Sequence, residues 1–282
     1  IGKQDRPSAK FYLKQGKAEE VKNIVQTKKA ELVIFNHDLS PSQERNLEKF
    51  LGARVLDRTG LILDIFARRA SSHIGKLQVE LAQLKHAQTR LVRGWTHLDR
   101  QKGGVGLRGA GEKQVELDRR MLSDRVKFFE KKLAQIEKNR RQNRRLRHSN
   151  ETQTMALVGY TNAGKSSLFN RLSGADALVA DKLFATLDPT SRRCPLPSGQ
   201  PLVVTDTVGF VRNLPHRLVD AFKATLEEAI VSNFLIHVLD INSSEVDSHV
   251  ETTLNVLQEL GTKDKKIITV FNKIDLLLDE AT

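Results

Sequence analysis

The stretch Met155-Ala-Leu-Val-Gly159-Tyr160-Thr161-Asn162-Ala163-Gly164-Lys165-Ser166-Ser167 has the residue types and spacing of a phosphate-binding loop. Four apolar residues read as a buried strand, and G-x-x-x-x-G-K-S follows them directly into an amphipathic helix. Glycine at the first and sixth positions lets successive amides turn inward on an anion. The N-terminal end of the next helix adds positive potential to the same place. Lys165 is expected to reach the β- and γ-phosphates, and the Ser166 hydroxyl to bind Mg²⁺. The expected contact set is Gly159, Tyr160, Thr161, Asn162, Ala163, Gly164, Lys165, Ser166 and Ser167.

Three later segments supply matching chemistry. Lys182-Leu-Phe184-Ala-Thr186-Leu-Asp-Pro-Thr190 lies where a first switch segment is expected. Phe184 is assigned to the nucleotide, and Thr186, with Thr190 second, to the metal and the γ-phosphate. The buried-type run Pro201–Thr205 ends in Asp206-Thr-Val-Gly209, a D-x-x-G. Asp206 is expected to hold the metal through water and the Gly209 amide to sense the γ-phosphate. Asn272-Lys273-Ile-Asp275 follows another apolar run. The Asp275 carboxylate can accept from the N1–H and exocyclic amine of guanine, a donor pair that adenine lacks. Lys273 is assigned to the base plane, and Asn272 to a tie with the phosphate loop. The groups expected to act on the reacting phosphate are Lys165, Thr186 and Gly209. Phe210 stands where Ras-like GTPases carry a water-orienting glutamine, so intrinsic hydrolysis should be slow.

These motifs need strands to present them, and buried-type runs at 155–158, 201–206, 234–239 and 267–271 supply them. The expectation is an α/β fold with a Ras-like P-loop GTPase domain over 151–282. The chain stops at Thr282, seven residues after Asp275. A further strand and base-contacting loop would lie beyond it, so the domain reads as truncated at its C-terminal end.

Residues 1–150 carry 34 Lys+Arg against 17 Asp+Glu, a balance of +17, whereas 151–282 carry 12 against 17, a balance of −5. A basic module joined to a mildly acidic nucleotide domain implies a large polyanionic partner. Within 1–60, strand-like Phe11–Leu13, Leu32–Phe35 and Arg54–Leu56 alternate with helical Ala18–Lys29 and Pro41–Leu51. Ser40-Pro41 opens the second helix and Gly52 closes it. This predicts a small parallel α/β unit. Over 61–148, Leu77, Leu81, Leu84 and Leu91, then Leu122, Val126, Phe129, Leu133 and Ile136, follow the 3.5-residue repeat of paired helices. An antiparallel helical hairpin is expected, with Gly75 bending its first helix or marking its start.

The hairpin tip, Lys102-Gly103-Gly104-Val-Gly106-Leu-Arg108-Gly109-Ala-Gly111, contains G-x-G-x-x-G. A basic helix and not a strand precedes it, against a dinucleotide site. Its glycines and cations suit close approach to RNA phosphates, the alternative being a plain flexible loop. The second helix leaves through Arg140, Arg141, Arg144, Arg145 and Arg147, read as helix end and linker in contact with RNA. A single tryptophan argues against base stacking and for recognition of backbone and shape. No apolar run approaches the ~20 residues of a membrane span. The lone Cys194 excludes an internal disulfide or zinc cluster and suits a reducing compartment. No leader is visible, although the chain begins with Ile1.

Taken together, the chain resembles the HflX family of ribosome-associated GTPases. The resemblance rests on Leu47–Ala67, Gly75–Leu84, Gly103–Glu112, Glu116–Arg120, Val158–Ser166, Ala180–Thr190, Thr205–Phe210 and Thr225–Glu228. It implies a cytoplasmic, monomeric GTPase that binds GTP or GDP with Mg²⁺ and associates with the large ribosomal subunit and its rRNA. It further implies splitting or rescue of idle or stalled ribosomes under stress, with hydrolysis stimulated by the ribosome. By similarity to GTPases of the TrmE–Era type, Asn162 is a candidate K⁺ ligand, or else an amide that stabilises the loop. Two rivals stand beside this reading: an RNA-binding protein with GTP as a static ligand, and an ATP-driven RNA remodeller.

Overall fold

Ser40 and Gly52 bracket a helix as their chemistry predicts. The Ser40 hydroxyl accepts from the Gln43 amide at 3.2 Å, and the Gln43 side chain accepts from the Ser40 amide at 2.9 Å. This reciprocal cap satisfies two of the amides that a helix start leaves without partners. Pro41 occupies the first turn, and Gly52 ends the helix in the left-handed region at φ 69°. The computed structural model describes residues 7–94, 110–148, 152–174, 184, 189–212, 226–262 and 264–278. They fall in two compact units, Ile1–Ile65 with Glu80–Glu130, and Phe66–Val79 with Lys131–Thr282.

In the first unit, α1 (Gln15–Lys28) and α2 (Pro41–Leu51) accompany the strands β1 (Leu32–Ile34) and β2 (Arg54–Leu56). The strands are parallel, with Val33 opposite Val55, as the strand–helix–strand order demands. Phe11, Ala18, Phe35, Leu39, Leu47, Leu51 and Val55 form their shared core. The expected strand at Phe11–Leu13 does not form. Tyr12 makes only an isolated antiparallel bridge to Ser8, at φ 62°. Such a tight reversal lets Phe11 drop into the core without extending the sheet.

Helix α3 (Arg58–Arg69) leads to α4 (His73–Gly94) and the 39-residue α5 (Ala110–His148). Gly75 lies in the first turn of α4, where its amide donates to Ser72 Oγ at 2.9 Å, so it marks the helix start. Along α5, Val126 and Phe129 are buried, Leu122, Leu133 and Ile136 half-buried, and most of the residues between them exposed. That alternation is the heptad stripe seen as burial. Among the described residues, ion pairs Glu80–Arg125 at 2.7 Å and Lys85–Glu130 at 2.8 Å join α4 to α5. Both are largely exposed and each contributes about 0–1 kcal/mol. The Arg90 guanidinium is different: it reaches Glu44 and the buried Asp57 at 2.6 Å each. Losing it would take the guanidinium from a buried carboxylate that keeps its bonds from the Gly60 and Leu39 amides, at a cost of about 3 kcal/mol. Arg90 therefore does far more than the surface pairs to fix α4 against α2 and the end of β2.

The second unit carries β3 (Gln153–Val158), α6 (Lys165–Ser173), β4 (Thr190–Pro195), β5 (Pro201–Asp206), a helical segment α7 (226–231), β6 (Phe234–Asp240), α8 (Val246–Glu259), β7 (Lys266–Asn272) and the short α9 (Asp275–Leu278). The sheet order is β4-β5-β3-β6-β7, with only β4 antiparallel to its neighbour. Met155, Leu157, Phe169, Cys194, Leu202 and Val204 pack between the sheet and α6. Cys194 is a buried core residue, and burial pushes its thiol pKa up. At the β7 edge, Ile268 and Phe271 are 43% and 54% exposed. No helix among the described residues is long and apolar enough to cross a membrane.

Candidate functional site

The C-terminal ends of β3, β5 and β7 meet at the loop 159–164, the crevice where open parallel sheets place ligands. Backbone geometry there admits little but glycine. Gly159 has φ 145°, and a Cβ on it would lie 2.4 Å from the Val238 carbonyl oxygen. Gly164 has φ 91°, and its Cβ would lie 2.1 Å from Asn272 Nδ2. Asn162, also at positive φ (63°), is exposed at the loop's outer turn. Helix α6 starts at Gly164 with no side-chain cap, which leaves its first amides to whatever anion the loop encloses. Ser167, in that first turn, is exposed.

Lys165 is only 6% exposed, and its Nζ donates to the carbonyls of Gly159 at 3.2 Å and Tyr160 at 2.8 Å. Burial pushes its pKa from 10.5 down to about 8, opposed by the Asp206 carboxylate. The Ser166 hydroxyl donates to Asp206 Oδ2 at 2.6 Å. Two hard oxygens so close, beside a polyphosphate loop, are a donor set that fits Mg²⁺ completed by phosphate and water oxygens. Among the described residues no group of three or more His, Cys, Asp or Glu could hold a metal by itself.

The D-x-x-G segment lies directly on the loop. A Cβ on Gly209 would fall 2.6 Å from Thr161 Cα and 3.0 Å from Lys165 Nζ. Phe210 is 1% exposed; its amide donates to the Gly159 carbonyl at 3.1 Å, and its carbonyl accepts from Thr161 at 2.8 Å. The ring is thus core, with no polar atom to offer a water. From the first switch segment, Phe184 is described: its amide donates to Thr161 Oγ1 at 2.9 Å. Its ring meets Phe66 edge-on at 4.6 Å, so that side chain is packing. Thr186 lies outside the described residues, while Thr190 begins β4.

On the base side, Asn272 Nδ2 donates to the Ala163 carbonyl at 2.9 Å, the expected tie between the two loops. Lys273, at φ 64°, pairs with Asp240 at 2.7 Å, and Asp275 is exposed at the start of α9. Lys102, Gly103, Gly104, Gly106, Arg108 and Gly109 lie outside the described residues. Gly111, Arg140, Arg141, Arg144, Arg145 and Arg147 belong to the backbone of α5, so the arginine run continues the helix to His148 and does not form a linker. The motifs did not reveal Tyr160's side-chain partners, which come from α8 and from the segment after Gly209.

His237, on β6 opposite Val158, is 2% exposed, and its Nε2 has no hydrogen-bond partner. Burial first, and the charge of Lys165 second, push its pKa from 6.5 to about 4. Between those values the unfolded chain takes up a proton that the folded chain refuses. This stabilisation is complete above pH 6.5 and falls away as the pH drops towards 4. Urea midpoints should therefore fall more steeply over that window in the wild type than in His237→Leu, and superimposable curves would refute the assignment.

Three family descriptions match in sequence: GTP-binding GTPase N-terminal over 1–67, GTP-binding GTPase Middle Region over 69–147, and 50S ribosome-binding GTPase over 154–273. The chain is 52% identical over 278 residues to GTPase HflX of Escherichia coli (strain K12), covering 99% of this chain and 65% of that protein. It is 52% identical over 266 residues to GTPase HflX of Caldanaerobacter subterraneus, covering 94% of this chain and 62% of the relative. The chain thus spans less than two thirds of the length of these relatives. Among solved structures, the complex of SsGBP with GDP is similar at 31% identity and a TM-score of 0.51, covering 96% of this chain and 73% of the other. The fold is that of a P-loop GTPase with a helical N-terminal region, and with similarity of this extent across all three segments the chain belongs to the HflX family.

Proposed function

We propose that this chain binds GTP at the loop 159–166, hydrolyses it to GDP and phosphate, and engages the large ribosomal subunit through its basic first half. The observation that carries the nucleotide reading is the convergence of Lys165, the Ser166–Asp206 pair, Gly209 and the Asn272–Ala163 tie on one sheet end. Inward-facing loop amides and the Lys165 ammonium hold the terminal phosphates. Ser166 and Asp206 hold Mg²⁺, with Thr186 as a further ligand, and bound Mg²⁺ neutralises charge on the phosphate oxygens. Gly209 contributes its amide, and Asp275 selects guanine over adenine.

With Phe210 buried, the water that attacks the γ-phosphorus is oriented from outside this segment, so turnover by the chain alone is slow. Asn162 on the exposed turn is the candidate K⁺ ligand. The RNA contacts fall to the glycine-rich tip, Lys102 to Gly111, and to the arginine run of α5. The +17 balance of residues 1–150 supports them, and so does the ribosome-binding description matched by 154–273. The whole protein then acts in the cytoplasm, separating or rescuing idle or stalled ribosomes under stress.

The test is phosphate release from GTP by the full-length protein, with and without large subunits, alongside co-sedimentation. Turnover rising about tenfold or more with subunits is the expected result. Binding without turnover would make the nucleotide a static ligand, and equal competition by ATP would favour a remodeller. Equal rates in NaCl and KCl would remove potassium from the scheme.

A further inference from the structure

Tyr160 does more than occupy the second position of the phosphate loop. Its ring lies flat on the His249 imidazole, centroids 3.7 Å apart and planes 13° from parallel. Its hydroxyl accepts from the Arg212 amide at 3.2 Å, three residues beyond Gly209. Its carbonyl accepts from Lys165 Nζ at 2.8 Å, and its backbone is bridged to Phe210. One residue therefore touches the phosphate-binding lysine, the exit of the D-x-x-G segment and α8. None of the phosphate-loop chemistry requires an aromatic ring at this position.

The α8 side is built to hold the stack. His249 sits one turn into α8, half-buried, with Nδ1 3.5 Å from Ser243 Oγ and Nε2 4.0 Å from Glu245. Glu245 also pairs with the Arg212 guanidinium at 2.9 Å. The Arg212 backbone is thus held by Tyr160 and its side chain by Glu245 at the N-terminal cap of α8, while Tyr160 and α8 are held together by the stack. The 240–245 loop continues this arrangement towards the base side, where Asp240 pairs with Lys273 of the N-K-x-D segment.

We infer that His249 is a positioning residue: its stack on Tyr160 sets where the segment Phe210–Arg212 lies against the phosphate loop. Its ring contact is with Tyr160, and it acts through that residue. Stacked aromatic rings contribute about 0.5–1.5 kcal/mol beyond their burial, enough to bias a segment held by a few hydrogen bonds. The kinetic consequence rests on the GTPase reading above, whereas the structural consequence does not.

The experiment compares the wild type, His249→Ala and His249→Phe by amide hydrogen exchange without nucleotide and by steady-state GTP turnover. In His249→Ala, exchange at Phe210–Arg212 should become about fivefold faster, with amides of Leu202–Val204 in β5 unchanged. The kcat should fall about fivefold with KM for GTP within about twofold. His249→Phe keeps a flat ring and loses both imidazole nitrogens, and should restore both readouts. Unchanged exchange at Phe210–Arg212, equal acceleration in β5, or failure of the phenylalanine to rescue would each overturn the inference. If the wild type hydrolyses no GTP, the GTPase reading fails while the exchange comparison still decides the role of His249.

Discussion

Lys165→Ala should lose nucleotide binding while keeping its fold. The ammonium is held by two loop carbonyls, so its Nζ already points into the turn that the phosphates would occupy. A charge-assisted hydrogen bond contributes about 1.5–3 kcal/mol, and the contact to the β-phosphate, the one of its two phosphates that GDP retains, predicts a loss of about 10- to 10²-fold in GDP affinity. Titration calorimetry with GDP measures this directly, with circular dichroism to check the fold. A loss below about tenfold would mean that the lysine serves the loop and not the ligand.

The same residue makes a pH prediction. Its pKa is about 8, because burial disfavours the charged form. A bound phosphate favours that form, so binding near pH 8 should take up a proton, and affinity should fall as the pH rises through 8. In the ligand-free protein the sign runs the other way: stability increases from about 8 towards 10.5, because the unfolded chain holds a proton that the folded one has released. Calorimetry in buffers of different ionisation enthalpy should detect the uptake in wild type and none in any residual binding by Lys165→Ala.

Gly159→Ala should be the most destabilising glycine-to-alanine change among the described residues. Its Cβ would lie 2.4 Å from the carbonyl oxygen of Val238, a backbone atom of β6 that the β3 and β7 ladders hold in place. The φ of 145° is itself unfavourable for any residue with a side chain. No rotamer change relieves a clash with backbone, so β3 and β6 must separate where they carry the loop. A loss of about 3 kcal/mol or more in stability is expected, together with loss of GDP binding.

Gly164→Ala separates the two effects. Its Cβ would meet the Asn272 amide at 2.1 Å, and that side chain can swing away at the cost of its bond to Ala163. Binding should fall with a smaller change in stability. Gly16→Ala, in α1 with nothing within 4 Å, is the control and should be neutral or slightly stabilising. Chemical denaturation of the three variants ranks them, and equal midpoints for Gly159→Ala and Gly16→Ala would show that the β3–β6 approach is not tight.

Features encoded by neighbouring residues were legible without coordinates. The cap at Ser40, the stop at Gly52, the heptad stripe of α5 and the strands that present each nucleotide motif depend on interactions within a few residues. The loop glycines could be read for the same reason, since a G-x-x-x-x-G-K-S turn has one workable backbone course. Asn272 is an exception that local patterning reached only because its motif carries its partner with it.

Tertiary structure alone decided the rest. Phe11–Leu13 has the composition of a strand, yet the core claims Phe11 and the sheet stops at two strands. Thr190–Pro195 is the antiparallel edge strand because Pro201–Asp206 offers it a ladder; its own sequence, with two arginines and a terminal proline, does not announce one. Arg90 joins Glu44 and Asp57 across more than thirty positions, and Tyr160 meets His249 across eighty-nine. Periodicity and caps report on a residue's own helix or strand; which distant side chain fills the space beside it is settled only when the sheet and its helices pack.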